Sequence, residues 1–188
     1  MMSLTLDEFG RTPIHCAAQE GHTEIVKALI KCSYPYPNLD PNAHDINGVT
    51  ALHMAAQDGH IEIVRALIEC SYNPNASDNK GVSTIYMAAQ GGHTEIVKAL
   101  IKASMELAEY PNAPNKIGST PIHVAAQNGH AEVVKALIAC TRYDITQEDT
   151  NNNFWSQSKY LIFFIKKIST TFGFWFTFEI VNFEQKIP

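Results

Sequence analysis

No cysteine pair, glycine-rich loop or cationic run in this chain of 188 residues has the spacing of a reactive or ligand-holding site. Cys16, Cys32, Cys70 and Cys140 lie far apart, without the close pairing that zinc demands. The glycines fall at turns and helix ends, so neither a phosphate-cradling loop nor a nucleophile elbow is present. Positive charge is sparse. Fourteen Lys and Arg stand against 19 Asp and Glu, and the net charge of −5 argues against a nucleic-acid partner. The start, Met1 to Glu8, lacks the basic opening and long apolar core of a signal peptide, which favours an intracellular, cytoplasmic setting. In that setting Asn75-Ala76-Ser77 is a chance sequon, and a disulfide framework is not expected. No apolar run reaches the roughly 18 to 20 residues of a membrane span. What is there is a chain with 45% hydrophobic residues, enough for a sizeable core in one domain by default.

Against that background one phrase stands out. Gly118-Ser119-Thr120-Pro121-Ile122-His123-Val124-Ala125-Ala126-Gln127-Asn128-Gly129-His130 has close copies beginning at Gly10, Gly48 and Gly81. Each copy runs on into a second phrase, His22-Thr23-Glu24-Ile25-Val26-Lys27-Ala28-Leu29-Ile30 in the first, with matching runs from His60, His93 and His130. Successive copies are 38, 33 and 37 residues apart.

Within a copy the local chemistry spells a turn and two helices. Asp7-Glu8-Phe9-Gly10, Asp45 to Gly48 and Asp78 to Gly81 read as type I turns with Asp first and Gly fourth, and Asn115 to Gly118 carries Asn instead. Thr12-Pro13 starts a helix, with a capping hydroxyl and a proline where the missing N–H costs nothing. Ile14, Ala17 and Ala18 share one face, and the alanines admit a close neighbour. Gly21, Gly59, Gly92 and Gly129 end these helices in a left-handed conformation. Thr23 is expected to cap the second helix, whose stripe is Ile25, Val26, Leu29 and Ile30 while Lys27 and Lys31 face water. Such a pair cannot bury its apolar side alone, so stacking is obligatory. Two links are long: Pro35 to Leu39, held extended by its prolines, and Met105 to Glu109, whose helix formers add a turn to the second helix of the third copy. Cys32, Cys70 and Cys140 fall at one place, the end of the second helix, and read as buried or half-buried thiols.

A unit of 33 residues with Thr-Pro-Leu-His-x-Ala resembles the ankyrin repeat, from about Asp7 to Cys140. The resemblance implies an all-α solenoid of four repeats, about residues 7–44, 45–77, 78–114 and 115–143, within a repeat domain spanning 1–143. It implies that His15, His53 and His123 are held by the capping Thr and nearby backbone, and it puts that pattern in doubt where Ser83-Thr84 and Tyr86 replace Thr-Pro and His. With His22, His60, His93 and His130 in the turn between helices, only His44 lies outside the repeat, so no catalytic residue, metal ligand or cofactor is expected. The expected partner is a protein, docked without cofactor on the concave face made by the turn tips and first helices. Matching those slots selects Phe9, Arg11, Ile46, Val49, Asp58, Lys80, Val82, Lys116, Ile117 and Asn128. Phe9, Ile46, Val49, Val82 and Ile117 are apolar where solvent is expected, and such a row can anchor a partner, although single exposed apolar residues are ordinary. Gln19, Gln57, Gln90 and Gln127 share one slot and form a ladder.

Residues 144–188 depart from this pattern, holding 11 of the 18 aromatics and both tryptophans. Three readings of this tail stay open: an atypical cap on the fourth repeat, a membrane-interface segment, or read-through sequence that never evolved with the array. The alternatives to a free-standing scaffold are a membrane-associated adaptor using that tail, and a regulatory fragment of a larger repeat protein. Oligomeric state does not follow from the sequence.

Overall fold

The computed structural model describes residues 6–33, 39–70, 73–107 and 110–146, with side chains described as far as residue 140. The tail readings and the proline link Pro35 to Pro37 therefore lie outside the described residues. Among the described residues eight helices follow in four pairs: α1 (Pro13–Gln19) with α2 (Thr23–Cys32), α3 (Ala51–Asp58) with α4 (Ile61–Cys70), α5 (Thr84–Gly91) with α6 (Thr94–Glu106), and α7 (Pro121–Gln127) with α8 (Ala131–Thr146). First helices stack on first helices, α1 on α3 on α5 on α7, and second helices form the other layer, α2 on α4 on α6. No strand forms among the described residues; one isolated bridge joins Ser77 and Ser83 across a turn.

The core follows the repeat phrase. Ile14, Leu52, Ile85 and Ile122 are buried, and the alanine pairs beside them let the first helices close together. In the second layer Val26, Val64, Val97 and Val134 are buried, as are Leu67, Leu100 and Leu137. The slot of Ile25 breaks the rule: Ile63, Ile96 and Val133 are 0 to 2% exposed, whereas Ile25 is 52% exposed, because no described pair stacks outside the first.

Each turn closes through the same atoms. The first residue's carbonyl accepts from the glycine N–H, as at Asp45–Gly48 (3.0 Å), while its side-chain Oδ1 accepts from the second and fourth residues beyond it. Asn115 makes the same two bonds through its amide oxygen, to Ile117 N (3.1 Å) and Ser119 N (2.9 Å), which is why Asn substitutes for Asp here. The turn glycines and the helix-ending glycines all have positive φ, 74° to 85°.

Two local expectations change. Thr23 does not cap α2; it is the first helical residue, and the preceding His22 supplies the carbonyl that receives Val26 N at 3.0 Å. The tight Gly-His turn leaves no extended residue from which a hydroxyl could reach back. Cys32 is exposed, and Cys70 and Cys140 are half-buried and buried, all as thiols. α6 does gain length, 13 residues against ten in α2 and α4.

Candidate partner-binding face

The histidine slot ties α1, α3 and α7 to their caps and, at His15, to the next repeat. Thr12 N–H donates to His15 Nδ1 (3.1 Å), which also lies 2.8 Å from Thr12 Oγ1; Nδ1 is thus the acceptor, and the proton sits on Nε2, which donates to Val49 O at 3.1 Å. Thr50 and His53 repeat the cap, and the buried His53 Nε2–H makes no well-formed hydrogen bond among the described residues, although the Val82 carbonyl is near enough to act on the ring. Burial pushes the His53 imidazole down to about 4, with the Val82 carbonyl and Asp78 opposing, and lowers His15 and His123 in the same sense. Tyr86 solves the missing histidine differently. Ser83 Oγ accepts from Tyr86 N (3.2 Å), the phenol lies 3.3 Å from Ser119 Oγ in the next repeat, and Thr84 donates to the Pro74 carbonyl.

A second set of junctions runs along the helix ends. His60, His93 and His130 each donate from Nε2 to the carbonyl of the glutamine one repeat earlier, Gln19, Gln57 and Gln90, at 2.9 to 3.0 Å. The glutamine ladder is therefore made by main-chain oxygens. Asn128 joins it, donating from Nδ2 to Gln90 O at 3.0 Å, so this predicted binding residue already serves the junction.

The turn tips stack through a third set: Ile46 N to Phe9 O (3.1 Å), Asn79 N to Asn47 O (2.8 Å) and Lys116 N to Lys80 O (3.1 Å). Consequently the second tip residue leans on the previous tip. Ile46 Cγ2 covers Gly10, at 3.0 Å from where a Cβ would stand, and Lys116 Cγ covers Gly81. Ile46 is thus both a spacer and 63% exposed. Third tip residues point outward: Phe9 is 45% and Ile117 88% exposed, and Lys80 is exposed.

Phe9, Arg11, Val49 and Asp58 come together around a groove of about 340 Å³, completed by Gln19, Asp45, Asn47, Met54, Gln57 and Met87. Val49 is half-buried there rather than fully exposed, as is Val82 in the same slot one repeat on, because the chain dips at that point into the first helix. Arg11 is already engaged: Nε donates to Asp7 Oδ2 at 2.6 Å, an outer nitrogen to Gln19 Oε1 at 3.1 Å, and its guanidinium carbon lies 5.1 Å from the Phe9 ring centroid. Partial burial works against ionisation of Asp7, but the Arg11 N–H, its guanidinium and the Phe9 N–H outweigh it and hold the carboxyl below its ordinary value. Lys80, Lys116 and Ile117 sit on the third and fourth tips, outside this groove.

Met54 and Met87 were not among the predicted residues. They share a slot with Cys16 and Val124, directly before the constant alanine pair, and the variation of that slot between copies was a visible sign that packing does not dictate it. Among the described residues no three His, Cys, Asp or Glu gather as metal ligands, and no helix is long and apolar enough to cross a membrane.

The repeating Thr-His caps, Gly-His junctions and stacked tips find a counterpart in one family model, ankyrin repeats (3 copies), which matches residues 2–78 and 70–149. The chain belongs to the ankyrin-repeat family. No curated protein matches it. Ankyrin repeats are in general protein–protein interaction modules, and the eight helices form an all-α array of that kind.

Proposed function

We propose that the chain is a non-catalytic scaffold that binds a protein partner on the concave face formed by the turn tips and first helices of its ankyrin array. The observation that carries this reading is the row of apolar side chains held in water there. Of six large apolar residues exposed among the described residues, Phe9, Ile46 and Ile117 stand on turn tips, and Phe9 adjoins a groove floored by Met54, Met87 and Val49. Exposed aromatic and aliphatic anchors beside a preformed cleft are the usual core of a binding face. A catalytic reading has less support, because the imidazoles of His15, His60, His93 and His130 are engaged in bonds between repeats.

The test replaces Phe9 and Ile117 by Gln in the full chain and compares the double variant with the native protein in affinity capture from lysate. Ile46 is left alone because it braces two tips, and Gln adds no charge. We expect unchanged helical content and melting, with loss of one or more proteins retained by the native chain. Identical retained sets would overturn the assignment of this face.

A further inference from the structure

We infer that the groove between the first two turn tips takes a basic segment of its partner, one that presents a long flexible apolar side chain flanked by Arg or Lys. The inference rests on the concave-face reading and adds the chemistry of the occupant. Its floor is Met54, Met87 and Val49, all half-buried, and thioether side chains with three rotatable bonds accommodate an apolar chain of irregular shape better than a branched residue does.

Charge decides the flank. Among the described residues Arg11 is the only cation lining the groove, and it is spent on Asp7, Gln19 and the Phe9 ring, so it offers a partner no uncompensated charge. The carboxylates are differently placed. Asp58 lines the groove, is exposed and makes no hydrogen bond or ion pair among the described residues. Glu20, in the same slot one repeat earlier, is exposed, and its carboxylate makes no such bond either among the described residues. Asp45, which lines the groove, uses Oδ1 for Asn47 N and Val49 N, each at 2.8 Å, leaving its other oxygen without a hydrogen bond among the described residues. Available cations on the tips, Lys80 and Lys116, belong to the third and fourth repeats, so the face is acidic at its first half and basic at its second. An acidic segment would meet Asp58 and Asp45 in the groove, with Glu20 adding like charge beside the lining residue Gln19; a basic one is complementary to them, a match that governs specificity and association rate more than raw affinity.

The experiment selects a random-peptide phage library on the full chain and measures the enriched peptide by fluorescence polarisation against four proteins: native, Asp58→Lys/Glu20→Lys, Lys80→Glu and Phe9→Gln/Ile117→Gln. We expect enriched peptides in which Leu, Met or Phe adjoins Arg or Lys. Affinity should fall roughly tenfold in the Asp58→Lys/Glu20→Lys protein, as two rim ion pairs allow, should not weaken in Lys80→Glu, and should fall as salt rises. Enrichment of acidic or uncharged peptides that the Phe9→Gln/Ile117→Gln protein fails to bind overturns the basic assignment while leaving the concave-face reading standing. Enrichment only of peptides that all four proteins bind alike overturns both.

Discussion

Burial of the His53 imidazole couples a local cap to the acidity of the solution. Nδ1 must stay unprotonated to accept Thr50 N–H at 3.2 Å, and the ring has no solvent to share a charge with. Its folded value near 4 lies below the 6.5 of an unfolded histidine, so from pH 6.5 down to about 4 the unfolded chain binds the extra proton. The stability this group contributes is complete above pH 6.5, is lost as pH falls through that window, and changes no further below about 4. The difference corresponds to ~3 kcal/mol, and His15 and His123 act in the same direction. Urea unfolding across this range should show stability falling with acidification. His53→Gln should be less stable at neutral pH by ~1–3 kcal/mol and show a shallower pH dependence; parallel pH profiles for the two proteins would mean that other groups set the slope.

At the level of elements, the helix ends carry a contrast between two glycines of similar backbone. Gly59 ends α3 at φ 85°, and a Cβ placed there would lie 2.7 Å from Cε1 of His93, the ring that donates to Gln57 O. Gly129 follows α7 at φ 77°, but a Cβ there meets nothing within 4 Å among the described residues. Alanine at Gly129 therefore incurs only the left-handed strain, ~1–2 kcal/mol, whereas at Gly59 it also displaces the ring and its bond, for a total of ~2–4 kcal/mol. Thermal denaturation of the two variants measures the gap, and equal losses would show that the imidazole junction gives way freely. The helices themselves were readable because their signals are local: Thr-Pro at the start, Gly at the end, apolar residues at helical spacing between. The expected Thr23 cap failed at the one boundary where a tight turn, rather than an extended residue, precedes the helix. The lean of Ile46 toward Gly10 was not readable, since it depends on contact between tips 38 residues apart in the chain.

For the whole array, the sequence marked which face varies, but not how the variable residues divide. Phe9 and Ile117 project, Ile46 and Asn128 also brace junctions, and Val49 joins Met54 and Met87 in a floor that only the stacking of α5 on α3 creates. Stacking also sets an energy gradient that no single repeat phrase contains. Ile25 and Ile63 occupy the same slot of the same phrase, yet Ile63 has a pair stacked before it while Ile25 has none among the described residues, 52% exposed against 0%. In a one-dimensional stack each pair is stabilised by its own packing and by its neighbours, so the first pair has a weaker hold than the inner pairs α3/α4 and α5/α6. Ile63→Ala should therefore cost ~2–5 kcal/mol and Ile25→Ala under ~1 kcal/mol by denaturant unfolding. Hydrogen exchange should show amides of α1 and α2 opening at lower free energy than those of α3 to α6, as local openings rather than through global unfolding. Equal costs at the two isoleucines, together with uniform protection, would mean that something outside the described residues covers Ile25 in solution and completes the first pair as the second pair completes the stack behind it.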